Sequence, residues 1–173
     1  MQTQPDPLDP ENMLGYIDAL ADDLERAWQL GCTLEPVPFA GIEKIVISGM
    51  GGSAIGGDLL SAYLAKSCRV PIFSHRNYGL PGWAQGENTL VICSSHSGNT
   101  EETLSSFDAA LERGCQVMAL CTGGELRQRA ERKGQPVWVF QHTGQPRTAI
   151  PYSFGMLLAL VCRLGLARVQ DLW

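Results

Sequence analysis

Val91-Ile-Cys-Ser-Ser-His-Ser-Gly-Asn-Thr-Glu-Glu-Thr103 passes from an apolar, strand-like run to hydroxyls and a glycine, and then to helix-forming residues. A helix opening near Asn99 leaves its first backbone N–H groups without intrahelical partners and turns the positive end of its dipole towards the preceding loop. Ser95, Ser97 and Thr100 add side-chain donors at the same point. A phosphate monoester suits that array, because it offers several acceptor oxygens and helix N–H groups can face it without a lysine. The plainer reading is an ordinary cap, with Ser97 or Asn99 capping, Gly98 relaxing the turn, and Glu101 and Glu102 sitting favourably in the first helical turn. A cap needs one hydroxyl, whereas residues 94–100 hold Ser94, Ser95, Ser97 and Thr100. That surplus favours the anion site.

Outward from this stretch the chain alternates strand and helix signals. Short apolar runs predict strands at Glu43–Ser48, Val70–Ser74, Thr89–Cys93, Gln116–Cys121 and Val137–Phe140, with Pro71 favouring a sheet edge for the second. Helices are expected through Leu59, Leu60, Tyr63 and Leu64 after the glycine segment 49–57, from Asn99 to Arg113, from the Gly123–Gly124 pair to Lys133 and from Phe154 to Leu164. Parallel neighbours need crossover connections, so this alternation predicts an α/β fold: three layers around a five-stranded, parallel, doubly wound sheet. Asp9-Pro10-Glu11 reads as N-cap, first-turn proline and first-turn acid. Met13, Ile17, Leu20, Leu24 and Trp28 then follow at helical spacing, giving an N-terminal helix over 10–31 that covers the core and ends at Gly31. Residues 1–9 are expected to be a flexible lead-in, 43–165 the α/β core, and 1–173 one domain.

Composition excludes several roles. The 173 residues carry a formal charge of −5 and no Lys/Arg cluster, so no nucleic-acid partner is expected. No apolar run approaches the roughly 20 residues that cross a bilayer, and the polar, acidic Met1–Pro7 does not read as a signal peptide. Cys32, Cys68, Cys93, Cys115, Cys121 and Cys162 contain no C-x-x-C pair, and most lie in apolar runs. They read as reduced core thiols of a cytoplasmic protein, with neither metal nor cofactor implied.

Ligands of doubly wound sheets bind outside the carboxyl ends of the strands. Three glycine-bearing polar segments fall there: 49–53, 94–100 and 144–148. The first, Gly49-Met-Gly51-Gly-Ser-Ala54, also fits G-x-G-x-x-A, the dinucleotide fingerprint. The acidic residue which that fingerprint wants at the end of the second strand is missing, since Ser74-His-Arg-Asn77 offers Arg76, a partner for an NADP phosphate. An NADP-dependent oxidoreductase is therefore one reading, but it leaves the hydroxyls of 94–100 unexplained.

Taken together, the turns resemble the sugar isomerase (SIS) domain family, whose phosphosugar turn has a Ser-x-Ser-Gly-x-Thr core, present as Ser95-His-Ser-Gly-Asn-Thr100. With Gly49-Met-Gly-Gly-Ser53 and Gln145-Pro-Arg-Thr-Ala-Ile-Pro151, the chain from about residue 10 is similar to the N-terminal half of bifunctional phosphoglucose/phosphomannose isomerases. The resemblance implies a flavodoxin-like SIS fold. It implies that Ser53, Ser95, Ser97 and Thr100 hold the phosphate, that Gly51 and Gly52 bring backbone close to the sugar, and that Arg147 stabilises charge on the sugar oxygens. The reaction implied is aldose–ketose interconversion of glucose 6-phosphate or mannose 6-phosphate with fructose 6-phosphate through a cis-enediolate. In that family the general base, a ring-opening histidine and a lysine lie in a second SIS domain, and no carboxylate here matches the base. His96 occupies the variable position of the core and reads as a spacer. Two further readings stand beside the half-isomerase: a sugar-phosphate-binding module without catalysis, and the oxidoreductase. The apolar 154–164 helix is expected to dock a second SIS domain or a second copy of the chain.

Overall fold

The computed structural model describes residues 8–169; residues 1–7 of the lead-in expected over 1–9 lie outside the described residues. Strands β1 (Lys44–Ser48), β2 (Ile72–His75), β3 (Thr89–Ser95), β4 (Gln116–Cys121) and β5 (Val137–Val139) form one sheet. Every pairing is parallel and the order is β2-β1-β3-β4-β5. β2 is an edge strand, as Pro71 suggested. The chain leaves β1 towards one edge and returns to β3 on its other side, so the strand order reverses between β1 and β3. In an open parallel sheet that reversal opens a crevice at the carboxyl ends of the two strands.

Side chains of the central strands alternate between two cores. Leu90 and Ile92 of β3 join Ile45, Ile47, Met118 and Leu120 in one core, where α3 (Gly51–Tyr63) and α6 (Ile150–Arg163) pack. Val91 and Cys93 point the other way, with Val117, Ala119, Phe107 of α4 (Glu101–Glu112) and Leu126 of α5 (Gly124–Arg132). β3 is buried along its whole length, which is why its sequence shows no polar alternation.

The crossover from β2 to β3 is a loop, not a helix. Residues 76–88 place Leu80 and Ala84 in the second core, and the Arg113 guanidinium donates to the carbonyls of Leu80 and Pro81. The N-terminal stretch departs from expectation. It forms α1 (Met13–Asp18) and α2 (Leu20–Thr33), which meet at Ala19. Asp9 still caps, accepting N–H bonds from Met13 at 2.6 Å and Leu14 at 2.8 Å, but Pro10 and Glu11 lie in a turn before the helix. Ile17 and Leu20 of the predicted stripe are exposed, whereas Ala27 is buried and Leu24 and Trp28 partly so. Gly31 is inside α2, where a Cβ would lie 2.6 Å from that of Ala159 on α6; it marks a close helix crossing, not a helix end.

α6 begins at Ile150 and is an internal element. Met156–Val161 are at most 1% exposed beneath α2 and α3, so this helix is not the docking face that its apolar circumference suggested. Among the described residues, large apolar side chains left exposed include Ile55, Leu59 and Tyr63 along α3. Of the cysteines, Cys93 and Cys121 are core, while Cys32 is exposed and the other three are half-buried. No helix of the described residues is long and apolar enough to cross a membrane.

Candidate functional site

The three polar turns converge at the crevice between β1 and β3. After β1, Gly51 opens α3 with a left-handed φ of +51° and open space at its Cβ position, so the backbone conformation asks for glycine there. Gly52 serves packing instead: a Cβ would lie 2.8 Å from the carbonyl oxygen of Pro146. Ser53, in the first turn of α3, is buried and its hydroxyl accepts the His96 N–H at 3.2 Å. The first turn thus touches both of the others.

After β3 the chain folds back on itself. Ser95 is buried, and its Oγ accepts the Gly98 N–H at 3.1 Å and shares a proton with the Thr100 hydroxyl at 2.9 Å. Gly98 has φ +70°, and a Cβ there would fall 1.9 Å from the Gly123 carbonyl oxygen. Ser97 is exposed and accepts only the local Asn99 N–H, at 3.2 Å. The capping expectation fails at this point. Thr100 is the N-cap of α4 and makes no side-chain capping bond, while Asn99 turns away and accepts the Glu125 N–H at 2.9 Å, capping α5. No side-chain capping bond is made by Met50, the N-cap of α3. Two helix N-termini therefore face the crevice with their first N–H groups uncapped.

The turn after β4 acts as a buttress. Leu126 N–H donates to the Gly98 carbonyl at 2.8 Å, and Thr122 donates twice to the His96 carbonyl, from N–H at 3.1 Å and from the hydroxyl at 2.6 Å. The sequence displayed the Gly123–Gly124 pair but gave no hint that it holds the 95–100 turn, because the contact joins two loops 26 residues apart.

The third segment is a 3₁₀ turn at Pro146–Ala149. Thr148 closes it, donating N–H and hydroxyl bonds to the Gln145 carbonyl at 2.9 and 2.8 Å. Arg147 is exposed and makes no ion pair or hydrogen bond among the described residues. Arg76, the cation that an NADP site would need, is instead ion-paired with Asp58 of α3 and holds that carboxyl below the usual carboxylate range.

A further cluster was not foreseen. His96 Nε2 and His142 Nδ1 lie 3.1 Å apart, and His142 Nε2 lies 3.3 Å from the Thr148 hydroxyl. The rings of Tyr16, Phe140 and Tyr152 surround the pair. Burial and the neighbouring His142 hold His96 below the usual imidazole range, and burial does the same to His142 against the pull of Asp23. His142 follows β5 with no motif of its own, so only the fold brings it to His96. Among the described residues no three His, Cys, Asp or Glu side chains are grouped as a metal ion requires.

What the arrangement can do follows from its donors. Uncapped N–H groups at two helix starts, the exposed Ser97 hydroxyl and the unpaired Arg147 favour a small anion carrying a polar body. The turns themselves, 49–53, 94–100 and 144–148, contain no carboxylate.

No family model matches the chain. A bifunctional phosphoglucose/phosphomannose isomerase from Caldicellulosiruptor bescii is 42% identical over 153 residues, 88% of this chain and 45% of that protein. The chain thus spans less than half the length of this relative, and 38% of a second of the same name from Aquifex aeolicus. The C-terminal domain of a glucosamine-fructose-6-phosphate aminotransferase from Francisella tularensis superposes with a TM-score of 0.56 at 14% identity, over 86% of this chain and 48% of that one. The Vibrio vulnificus NanR protein, solved with ManNAc-6P, gives 0.57 at 20% identity over 92% of this chain and 62% of its own. In sequence the chain is a relative of the bifunctional phosphoglucose/phosphomannose isomerases, and its fold is that of the phosphosugar isomerase (SIS) proteins.

Proposed function

We propose that this chain is a single SIS domain, the phosphosugar-binding part of an isomerase that interconverts glucose 6-phosphate or mannose 6-phosphate with fructose 6-phosphate. The observation that carries the reading is the meeting of two uncapped helix N-termini with Ser53, Ser95, Ser97 and Thr100 at the β1/β3 crevice. Of these side chains Ser97 is the free donor; Ser95 and Thr100 hold the turn that aims the α4 N–H groups, and Ser53 links it to α3. Gly51 leaves backbone bare beside the ligand, and Gly52 lets the start of α3 approach the Pro146 carbonyl. Arg147 faces the sugar oxygens, where an enediolate gains negative charge and a fixed cation favours that state over the substrate.

The base that removes the proton beside the carbonyl must lie within hydrogen-bond reach of it. The three turns hold no carboxylate, so a second domain or a second chain supplies it. The relatives, about twice as long, have room for such a domain. Six cysteines without a C-x-x-C pair support a reducing, cytoplasmic setting for this reading.

Calorimetric titration with fructose 6-phosphate, glucose 6-phosphate and inorganic phosphate tests the reading. A hydrogen bond to a charged group contributes about 1.5–3 kcal/mol, so Ser97→Ala weakens sugar-phosphate binding roughly ten- to a hundredfold. Absence of binding by the wild type at millimolar ligand contradicts it. A non-catalytic binding module is the second reading, favoured by the likeness to NanR with its bound ManNAc-6P. Turnover of glucose 6-phosphate by the chain supplied with a second domain separates the two.

A further inference from the structure

We propose that His96 takes up a proton when an anion enters the 95–100 turn and becomes a cationic hydrogen-bond donor to it, so that sugar-phosphate binding by this chain is linked to proton uptake. The proposal rests on the phosphosugar reading above. It assigns to His96 a binding role that its place as a variable residue in the motif did not suggest.

The direction of one hydrogen-bond chain carries the argument. The Thr148 hydroxyl has a single proton, which goes to the Gln145 carbonyl at 2.8 Å. Towards His142 that hydroxyl can only accept, so His142 Nε2 carries the hydrogen across the 3.3 Å contact. A neutral His142 then presents a lone pair at Nδ1, and His96 Nε2–H donates to it across 3.1 Å. A neutral His96 is left with a lone pair at Nδ1, which makes no hydrogen bond among the described residues. This unused nitrogen belongs to a half-buried ring whose backbone lies between Ser95 and Ser97.

The turn that carries this ring also carries donors, the Ser97 hydroxyl and the first N–H groups of α4. A lone pair turned to the same anion opposes a phosphate dianion. Protonation at Nδ1 removes the opposition and disturbs nothing, because Nε2–H goes on donating to His142. Protonating His142 instead sets two N–H groups against each other and forces His96 to change tautomer. The added proton therefore belongs on His96.

The surrounding charges agree with proton uptake on binding. Burial first, and then His142, hold His96 below the usual imidazole range in the free protein, so it is neutral at pH 7 and above. Asp23 acts on His142 and is itself ion-paired with Arg26 at 2.7 Å. Tyr16 and Tyr152 face His142 with their rings, Arg147 is on the adjoining 3₁₀ turn, and Glu101 and Glu102 begin α4. A bound dianion supplies the negative charge that raises the His96 pKa.

Calorimetry with fructose 6-phosphate at pH 7.0 and 8.0 tests this, each in two buffers of different ionisation enthalpy. The ligand is a dianion at both, since the second phosphate pKa is about 6. The wild type is expected to absorb up to one proton per ligand and to weaken by up to about tenfold over that unit of pH, as linkage requires. His96→Gln keeps an N–H for His142 but cannot be charged, so it binds with neither proton uptake nor pH slope. Wild-type binding without proton uptake overturns the inference and leaves the phosphosugar reading standing. Uptake that survives in His96→Gln overturns it as well. No binding by the wild type at either pH overturns both.

Discussion

Single residues decide whether the 95–100 turn exists in the form an anion needs. Gly98 combines a left-handed backbone with a contact that excludes even a methyl group, so Gly98→Ala must move the Gly123 carbonyl as well as strain the chain. The backbone strain alone costs about 1–3 kcal/mol. Thermal denaturation is expected to show a loss of several degrees, at roughly 2–4 °C per kcal/mol for a chain of this size. An unchanged midpoint contradicts the buttress described above. The two histidines give a second prediction, in pH. Each has a folded pKa depressed below its unfolded value, so the unfolded chain binds more protons as pH falls through about 6.5. Their contribution is constant above about pH 7 and is lost progressively as pH falls towards the folded pKa values. Urea denaturation should give lower stability at pH 5.5 than at 7.5, and a His96→Gln, His142→Gln double variant a smaller difference. The sequence revealed the serines of this turn and its glycine, because hydroxyl spacing is a local signal. It hid the His96–His142 pair and the Gly123 contact, because both join residues from different loops.

At the scale of elements, strands were read well and connections less so. β3 and β4 are buried runs whose length and apolarity leave one assignment, and each was found within two residues of its expected span. In the 76–88 loop Leu80 and Ala84 are core residues, which no periodicity marks. α6 gave the main error. An apolar circumference predicts burial on several sides, but does not say by what; the answer is α2 and α3 of the same chain, with Gly31 set against Ala159. Leu157→Ala on α6 is accordingly a core truncation, expected to cost about 2–5 kcal/mol in denaturant unfolding. A loss below 1 kcal/mol would mean that this helix is not packed as described.

For the whole molecule, the order β2-β1-β3-β4-β5 puts the proposed anion site at the one place where the strand order reverses. Alternating strand and helix signals made the layered architecture readable. Strand order is set by pairing across long sequence separations, and no local signal in the sequence carried it. On the proposed reading the chain supplies a phosphate cradle and a cation while a second domain or chain supplies the proton-removing base, so alone it is expected to bind sugar phosphates without turning them over; a coupled glucose 6-phosphate assay checks this. The central claim, that the phosphate is held where α3 and α4 begin, is tested most directly by mapping backbone amide shifts in ¹H–¹⁵N spectra as fructose 6-phosphate is added. The account predicts the largest saturable shifts at Gly51–Ser53 and Ser97–Glu102. Saturable shifts confined to other parts of the surface, with these amides unmoved, would contradict it.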